Sequence, residues 1–262
     1  MEVHAHTHTP RKKWTHYLWE FLMLFLAVFC GFLAENQREH MVEHQREKQY
    51  AKELYSELSD DSVVVANICR IRLDKEKDMD YLYRYFKDSS LTSLPREFYP
   101  AYTVGTYLVN TYAFEPKDGI LSQLKNSGSL RYFKSIKLQK LFGDISVCIN
   151  NVRNRNEQEY QYFASPVKPF ILKHYDFNWL NKLREQNENK NSVSITLINS
   201  YRQSSTNIEG HILGIDDFNR EVAANMISFF KQMMVSTRTL QLNNYIVTNH
   251  KLLEELRKNY KL

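Results

Sequence analysis

The most apolar stretch of the chain lies close to its N-terminus. Residues 21–34 carry no polar side chain, and residues 17–34 form a stretch of eighteen that contains one charged residue, Glu20. At about 1.5 Å per residue, a helix of this length covers about 27 Å, close to the thickness of the hydrocarbon core of a bilayer. The pattern predicts a transmembrane helix over residues 17–34. The side chains expected to hold it in the lipid are Phe21, Leu24, Phe25, Val28 and Phe32.

Two other interpretations of this stretch are a buried core helix and a cleaved signal peptide. A core helix without a polar face would need apolar neighbours on every side. Cleavage after Ala34 would follow Phe32 and Leu33, which do not form the small-x-small site of a signal peptide. Cys30 follows two large apolar residues, so a lipoprotein cleavage site is not expected either. The stretch is therefore predicted to be an uncleaved signal anchor.

The residues that flank the span predict its orientation. An Arg-Lys-Lys cluster at residues 11–13 directly precedes the span, whereas the basic residues after it are spread over a longer segment. Because Lys and Arg favour the cytoplasmic side of a membrane, the N-terminus is predicted to be cytoplasmic. Residues 1–16 are predicted to form a disordered polar tail, in which His4, His6 and His8 would bind a transition metal only loosely.

The segment after the span predicts a long helix. Residues 35–75 contain no Gly or Pro and begin with a highly charged section, so the membrane helix is expected to continue as a stalk over this range. A partly apolar stripe at helical spacing runs through it and beyond. Its members are Tyr50, Leu54, Leu58, Val65, Ile68, Arg72 and Met79.

The remaining residues, 76–262, predict a helical soluble domain. Pro116 and the Asn-Ser-Gly sequence at 126–128 indicate the start and the stop of one helix, and a second helix is expected from Ser129 or Ser135. A last long helix is expected from Asp217 to about residue 260, packed along the stalk. Alternating apolar residues at 193, 195 and 197 indicate a short strand, although no partner strand is evident.

The predicted fold class is all-α: a transmembrane helix that continues into a stalk helix, followed by a bundle-like domain. The net charge of +5 is spread along the chain without a long basic run, so nucleic-acid binding is not expected. The three cysteines are Cys30 in the span, Cys69 and Cys148. Buried free thiols are the simpler interpretation of the last two, and a disulfide between them is the alternative in an oxidising compartment.

Three segments together resemble an uncharacterised family of single-span bacterial envelope proteins. They are the anchor running directly into residues 35–36, the block FEPKDGILSQLKNSGSLRYFK at 114–134, and the closing segments 252–256 and 259–260. The resemblance implies a bacterial inner-membrane protein with a helical domain on the periplasmic side. It implies no activity and transfers no catalytic residues. The chain departs from the family in a longer middle section, at 176–207, and in its His-rich tail.

One short motif suggests chemistry. His40, Glu43 and His44 match the H-x-x-E-H pattern of inverted zinc peptidases, in which both histidines share a helix face and the glutamate acts as a base. A solvated helix face is the simpler interpretation, because a third ligand would have to come from elsewhere. Glu20 is a second candidate, since acids inside a membrane often mark helix pairing or proton paths, although its place near the interface favours a structural role.

The aromatic runs at residues 81–86 and 160–163 are candidates for a ligand groove or for core packing. The sequence as a whole predicts a non-enzymatic, membrane-anchored helical protein that acts as a scaffold, an envelope-complex subunit or a sensor. A membrane-tethered zinc-dependent hydrolase and a small-ligand-binding module are the alternatives. The expected partners are the lipid bilayer and either another protein or a second copy of the chain, and no cofactor is expected.

Overall fold

One unbroken helix, α1, occupies Trp14–Asp88. The computed structural model describes residues 14–187 and 191–262, so the predicted disordered tail and its three histidines lie largely outside the described residues. The chain divides into two units between Tyr50 and Ala51, and α1 contributes residues to both. The described residues form helices and connecting turns without a strand, which confirms the predicted all-α fold class.

In the first unit, α1 exposes apolar side chains in every direction. All residues from Trp14 to Val42 are exposed. An 18-residue window of this helix has a mean hydropathy of 2.0, and none of the window is buried. Phe21, Phe25 and Phe29 stack along one side, with ring centroids 6.3 and 5.9 Å apart. This N-terminal helix is therefore long and apolar enough to span a membrane.

The second unit, Ala51–Leu262, contains the remaining helices. The α-helices after α1 are α2 (Phe98–Tyr102), α3 (Gly119–Asn126), α4 (Ile136–Tyr162), α5 (Lys168–His174), α6 (Phe177–Glu185), α7 (Ser194–Gln203), α8 (Arg220–Ser236) and α9 (Asn243–Tyr260). Short π-helical segments occupy Thr103–Tyr107, Phe163–Val167 and Thr237–Leu242, and single 3₁₀ turns occupy Asn110–Tyr112, Ser129–Tyr132 and Ile215–Asp217.

The second half of α1 forms the central seam of this unit. Buried residues recur along it at alternating spacings of three and four, the period of a helix that packs against other helices. They are Ala51, Leu54, Leu58, Asp61, Val65, Ile68, Arg72, Lys75, Met79, Leu82 and Phe86. Three members of this seam are charged. Residues 51–75, which were expected to belong to the stalk, are thus part of the packed unit.

Helices α8 and α9 lie along this seam, as the prediction for the last long helix proposed. These C-terminal helices run antiparallel to α1. Their side-chain hydrogen bonds show the direction, because later residues of the C-terminal segment pair with earlier residues of α1. The pairs are Lys231 with Asp80 (2.6 Å), Arg238 with Glu76 (2.7 Å), Tyr245 with Asp61 (2.7 Å) and Asn249 with the Leu58 carbonyl (3.0 Å).

Three local predictions need correction. The last helix begins at Arg220 rather than at Asp217, because the Asn219 side chain accepts the amide hydrogen of Val222 at 3.0 Å and caps the helix. It is also interrupted by the π segment Thr237–Leu242, although no Gly or Pro marks the place.

The expected strand at 193–197 is wrong, because these residues begin α7. Leu197, Ile198 and Tyr201 form its buried face at helical spacing, whereas Val193 is 66% exposed. Two predicted boundaries in the middle of the chain agree with the structure, whereas α3 begins at Gly119 rather than at Pro116. Gly128, with φ of +69°, follows the end of α3, and Ser135 caps α4.

The core of the unit is rich in aromatic side chains, and one glycine is required there. Tyr99 stacks on Trp179 with ring centroids 5.1 Å apart. Its hydroxyl donates a hydrogen bond to the His211 carbonyl (2.6 Å) and accepts one from the Asp176 amide (3.2 Å). A Cβ atom at Gly210 would lie within 3.0 Å of three atoms of this ring. Because the ring is held on both sides, it has little freedom to move away.

We therefore expect Gly210→Ala to lower the free energy of unfolding by about 1–3 kcal/mol, the usual cost of overpacking a core. Urea unfolding of the full chain in detergent, followed by circular dichroism, measures this effect. Gly143→Ala is the matched control, since Gly143 lies in the interior of α4 and a Cβ there meets nothing within 4 Å. The control is expected to stabilise the protein slightly. An equal response of the two variants would contradict this account of Gly210.

Candidate ligand groove

An open groove of about 660 Å³ lies on the second unit. Three segments line it. The first is residues 107–111, where the chain leaves a π-helical segment. The second is the end of α4 together with the residue that follows this helix, and the third is residues 191–195 at the start of α7. Arg184 of α6 completes the lining. The groove therefore combines side chains from parts of the chain that are far apart in sequence.

Aromatic and uncharged polar side chains make up most of the described lining. Tyr160 and Tyr107 keep 49% and 38% of their surface exposed, and Phe163 is half-buried beside Tyr160. Arg184 is the one charged residue among the described lining residues, and its guanidinium donates to the Ser192 carbonyl at 3.1 Å. The other polar lining side chains are amides and hydroxyls, at Asn110, Thr111, Asn191, Ser192 and Ser194.

Two buried cations of α1 hold the backbone at one side of the groove. The ammonium group of Lys75 donates to the Leu108 carbonyl (2.8 Å), and the guanidinium of Arg72 donates to the Tyr112 carbonyl (2.7 Å). Neither cation has exposed surface. Because a buried donor strongly prefers to keep its acceptor, the segment between these two carbonyls is fixed from the inside of the protein.

Arg72 also connects this segment to α4. Its guanidinium forms a short ion pair with Glu159, and the Thr237 hydroxyl donates to the same carboxylate oxygen. Glu159 directly precedes Tyr160, whose ring lines the groove. The buried Glu159 carboxylate is thus held by α1 and by the π segment that follows α8. These contacts fix the end of α4 that lines the groove.

Lys75 lies among apolar and charged neighbours. Its ammonium group is 4.7 Å from the centre of the Tyr112 ring and 5.2 Å from that of Phe230. Burial lowers the pKa of Lys75 to about 7, with the nearby Glu159 opposing this shift and Arg72 adding to it. The cation that holds the Leu108 carbonyl is therefore close to losing its charge at neutral pH.

A smaller polar cavity of about 200 Å³ adjoins the groove and shares the lining residues Val109, Asn110 and Tyr160 with it. Carboxylates dominate its other side. Arg153 also lines it and is engaged in a bidentate pair with Asp118, at 2.9 and 3.0 Å. Salt bridging to this guanidinium lowers the pKa of Asp118.

The aromatic runs singled out in the sequence have different locations. Tyr160 and Phe163 line the groove, whereas Tyr162 lines a separate open cleft with Phe229. The run at residues 81–86 packs into the core, where Phe86 is fully buried. Sequence reasoning did not single out Asn110, Thr111 or Lys75, because amides, hydroxyls and a lysine in a charged helix have no distinctive pattern.

The predicted zinc motif lies on the exposed part of α1. The His40 imidazole is 3.8 Å from the Glu43 carboxylate, and the His44 imidazole is 3.2 Å from that of Glu47. Within residues 14–187 and 191–262, no group of three His, Cys, Asp or Glu side chains is arranged to hold a metal. Zinc binding by this motif remains a prediction that a metal analysis of the purified protein would test.

The other candidate groups also have defined surroundings. The Glu20 carboxylate is 3.2 Å from the His16 imidazole, one helical turn earlier. The three cysteines are unpaired, and the Cys148 thiol donates to the Thr248 hydroxyl at 3.5 Å. The alternative of a Cys69–Cys148 disulfide is therefore not adopted in this structure.

Comparison with protein-family models, with curated proteins and with solved structures gives no match to this chain. The class of protein is thus defined by the fold alone. It is an all-α chain with one N-terminal helix that is long and apolar enough to span a membrane.

Proposed function

We propose that this chain is a single-pass protein of the bacterial inner membrane whose second unit acts by binding, as a scaffold, an envelope-complex subunit or a sensor. The observation that carries the proposal is the fully exposed apolar window of α1. A soluble monomer rarely leaves an apolar surface of this extent in water, whereas a lipid bilayer would cover it. The helical backbone satisfies its own polar groups, as a spanning segment must.

The five anchor residues support this arrangement. Phe21, Leu24, Phe25, Val28 and Phe32 are each between 53% and 68% exposed, as side chains that contact lipid would be. Residues 11–13 support a cytoplasmic N-terminus, because basic residues next to a span favour that side. In this orientation the groove would face the periplasm.

The groove supports binding in preference to catalysis. Apart from Arg184, the polar side chains of its described lining are amides and hydroxyls beside aromatic rings, which suit recognition of a ligand. Lys75, whose pKa is strongly lowered, lies beside the groove but has no exposed surface. Its ammonium group donates a hydrogen bond to a backbone carbonyl. We therefore assign Lys75 and Arg72 the role of positioning the groove.

Alkaline extraction of membranes tests the anchor. The wild-type chain is expected to stay in the membrane pellet, whereas Leu24→Arg/Val28→Arg is expected to move to the soluble or aggregated fraction. Each arginine near the centre of a span costs about 2.5–3.5 kcal/mol on insertion scales. Met41→Arg/Val42→Arg is the matched control, since these exposed residues follow the span, and it should remain in the pellet. Extraction of the wild type by alkali would overturn the anchor.

Cysteine labelling tests the orientation separately. With the three native cysteines replaced by serine, Lys251→Cys places a single thiol on the exposed side of α9. A membrane-impermeant maleimide is expected to label it in intact spheroplasts. Labelling that requires lysis would place the second unit in the cytoplasm and reverse the proposed topology.

A further inference from the structure

We propose that the groove binds a neutral saccharide of two or three sugar rings. The rings would stack on Tyr107, Tyr160 and Phe163, and their hydroxyls would bond to the neighbouring amide and hydroxyl side chains. The inference rests on the proposed binding role of the second unit, but it does not depend on the membrane anchor.

The aromatic part of the lining supports stacking. The Tyr160 and Phe163 rings lie 6.4 Å apart at an interplanar angle of 43°, and both line the groove. Tyr107 is held by an edge-to-face contact with Phe177, with ring centroids 5.6 Å apart. A sugar ring has an apolar C–H face, and placing that face on a partly exposed aromatic ring removes apolar surface from water on both sides.

The polar part of the lining favours a ligand without charge. Amide and hydroxyl groups both donate and accept hydrogen bonds, as sugar hydroxyls do. An anionic ligand would call for several cations, yet Arg184 is the single cation of the described lining and its guanidinium already donates to the Ser192 carbonyl. A cationic ligand would call for carboxylates, and none lines the described part of the groove. A purely apolar ligand would displace water from the polar part of the lining and gain no hydrogen bond in return.

Size and rigidity agree with an oligosaccharide. A volume of about 660 Å³ lies within the usual range of ligand sites and exceeds what a single sugar ring fills. The backbone of residues 108–112 is held by Lys75 and Arg72 before any ligand arrives. A site that is fixed in advance loses less conformational freedom on binding, which favours recognition of a weakly interacting, flexible sugar chain.

Isothermal titration calorimetry of the full chain in lipid nanodiscs, free of glycosidic detergent, tests the proposal. The probes are the neutral trisaccharides chitotriose, cellotriose and maltotriose, with a trisaccharide of galacturonic acid and with indole as charged and apolar comparisons. At least one neutral trisaccharide is expected to bind saturably and more tightly than both comparisons. Absence of saturable binding by all three neutral probes, or tighter binding of indole or the acidic sugar, would overturn the proposal.

Point variants test the location of the site. Tyr160→Ala is expected to weaken binding by about tenfold, the effect of losing one stacking platform, and Tyr160→Trp should retain it. Phe229→Ala is the matched control, because Phe229 is an aromatic residue of similar exposure (53%) that lines the other cleft. Equal binding by Tyr160→Ala and the wild type would place the sugar elsewhere and overturn the assignment.

Membrane anchoring and saccharide binding are tested independently of each other. A chain that resists alkaline extraction but binds no neutral trisaccharide would retain the anchor and lose the ligand class. A chain that alkali extracts but that binds a trisaccharide through Tyr160 would lose the anchor and retain the ligand class.

Discussion

Arg72→Met is expected to lower the free energy of unfolding by about 3–5 kcal/mol, the usual cost of removing one partner of a buried ion pair. Arg72 has no exposed surface. Its guanidinium pairs with Glu159, donates to the Tyr112 carbonyl and contacts the sulfur of Met234. Methionine would fill most of the space but would leave the Glu159 carboxylate buried with only the Thr237 hydroxyl as its partner. Urea unfolding of the full chain, followed by circular dichroism, measures the loss.

Two further variants show whether the cost comes from the unpaired charge. Arg72→Met/Glu159→Met removes both charges and is expected to recover most of the stability, because a buried ion pair often contributes no more than well-packed apolar residues. Lys77→Met, on the same helix, removes an exposed lysine that pairs with Asp74 and should leave the unfolding midpoint unchanged. If Arg72→Met were as stable as Lys77→Met, or if the double variant were no better than the single one, the proposed role of the pair would be wrong.

This seam shows how far the sequence predicts the fold. The stripe through Leu54, Leu58, Val65 and Ile68 is visible because helical periodicity is a local property. Asp61 and Lys75 were not recognised as part of it, although Lys75 is fully buried. A charged residue in such a helix is normally solvated, and its burial depends on partners that are far away in sequence.

The C-terminal helices also combine features that a local sequence pattern predicts with one that it does not. The helical character and the partner of α8 and α9 follow from their apolar faces, but the π segment Thr237–Leu242 does not. A π turn inserts one residue into a helix without any change in composition, so the sequence offers no signal for it. In the structure it contains Thr237 and Arg238, which contact Glu159 and Glu76.

The groove was only partly predictable for a related reason. The aromatic residues at 160, 162 and 163 are visible as a cluster in the sequence. The apolar pattern of segment 103–111, by contrast, is compatible with either a helix or a strand. Its backbone conformation depends on Lys75 and Arg72, which bind the Leu108 and Tyr112 carbonyls from a distant helix.

The stability of the protein is expected to rise between about pH 7 and pH 8.5 because of Lys75. The pKa of Lys75 is lowered to about 7 in the folded protein, whereas a lysine in the unfolded chain has a pKa near 10.4. Between these values the unfolded chain binds a proton that the folded protein has released. By linkage, the free energy of unfolding then increases with pH, with a slope of up to about 1.4 kcal/mol per pH unit.

Besides Lys75, two groups have shifted pKa values that bear on this window. Glu159, Arg72 and Asp78 are the charged groups that act on its ammonium. Burial raises the pKa of Asp78 to about 6, so its destabilising ionisation is mostly complete at the start of the window. Burial raises the pKa of the Cys69 thiol, so this group acts in the opposite sense towards the upper end of the window, where a free thiol in the unfolded chain, with a pKa near 8.5, is about half ionised.

Lys75→Met separates this contribution from the rest. It removes the proton that is released on folding, so the free energy of unfolding is expected no longer to rise between pH 7 and pH 8.5. At pH 6 the variant avoids burying a charge but leaves the Leu108 carbonyl without its donor. Because these two effects oppose each other, only a small change in the free energy of unfolding is expected at this pH. Lys251→Met, on the exposed side of α9, is the control and should keep the wild-type slope. A wild-type curve that is flat or falls across this window, or a slope that persists in Lys75→Met, would show that Lys75 keeps its proton in the folded protein.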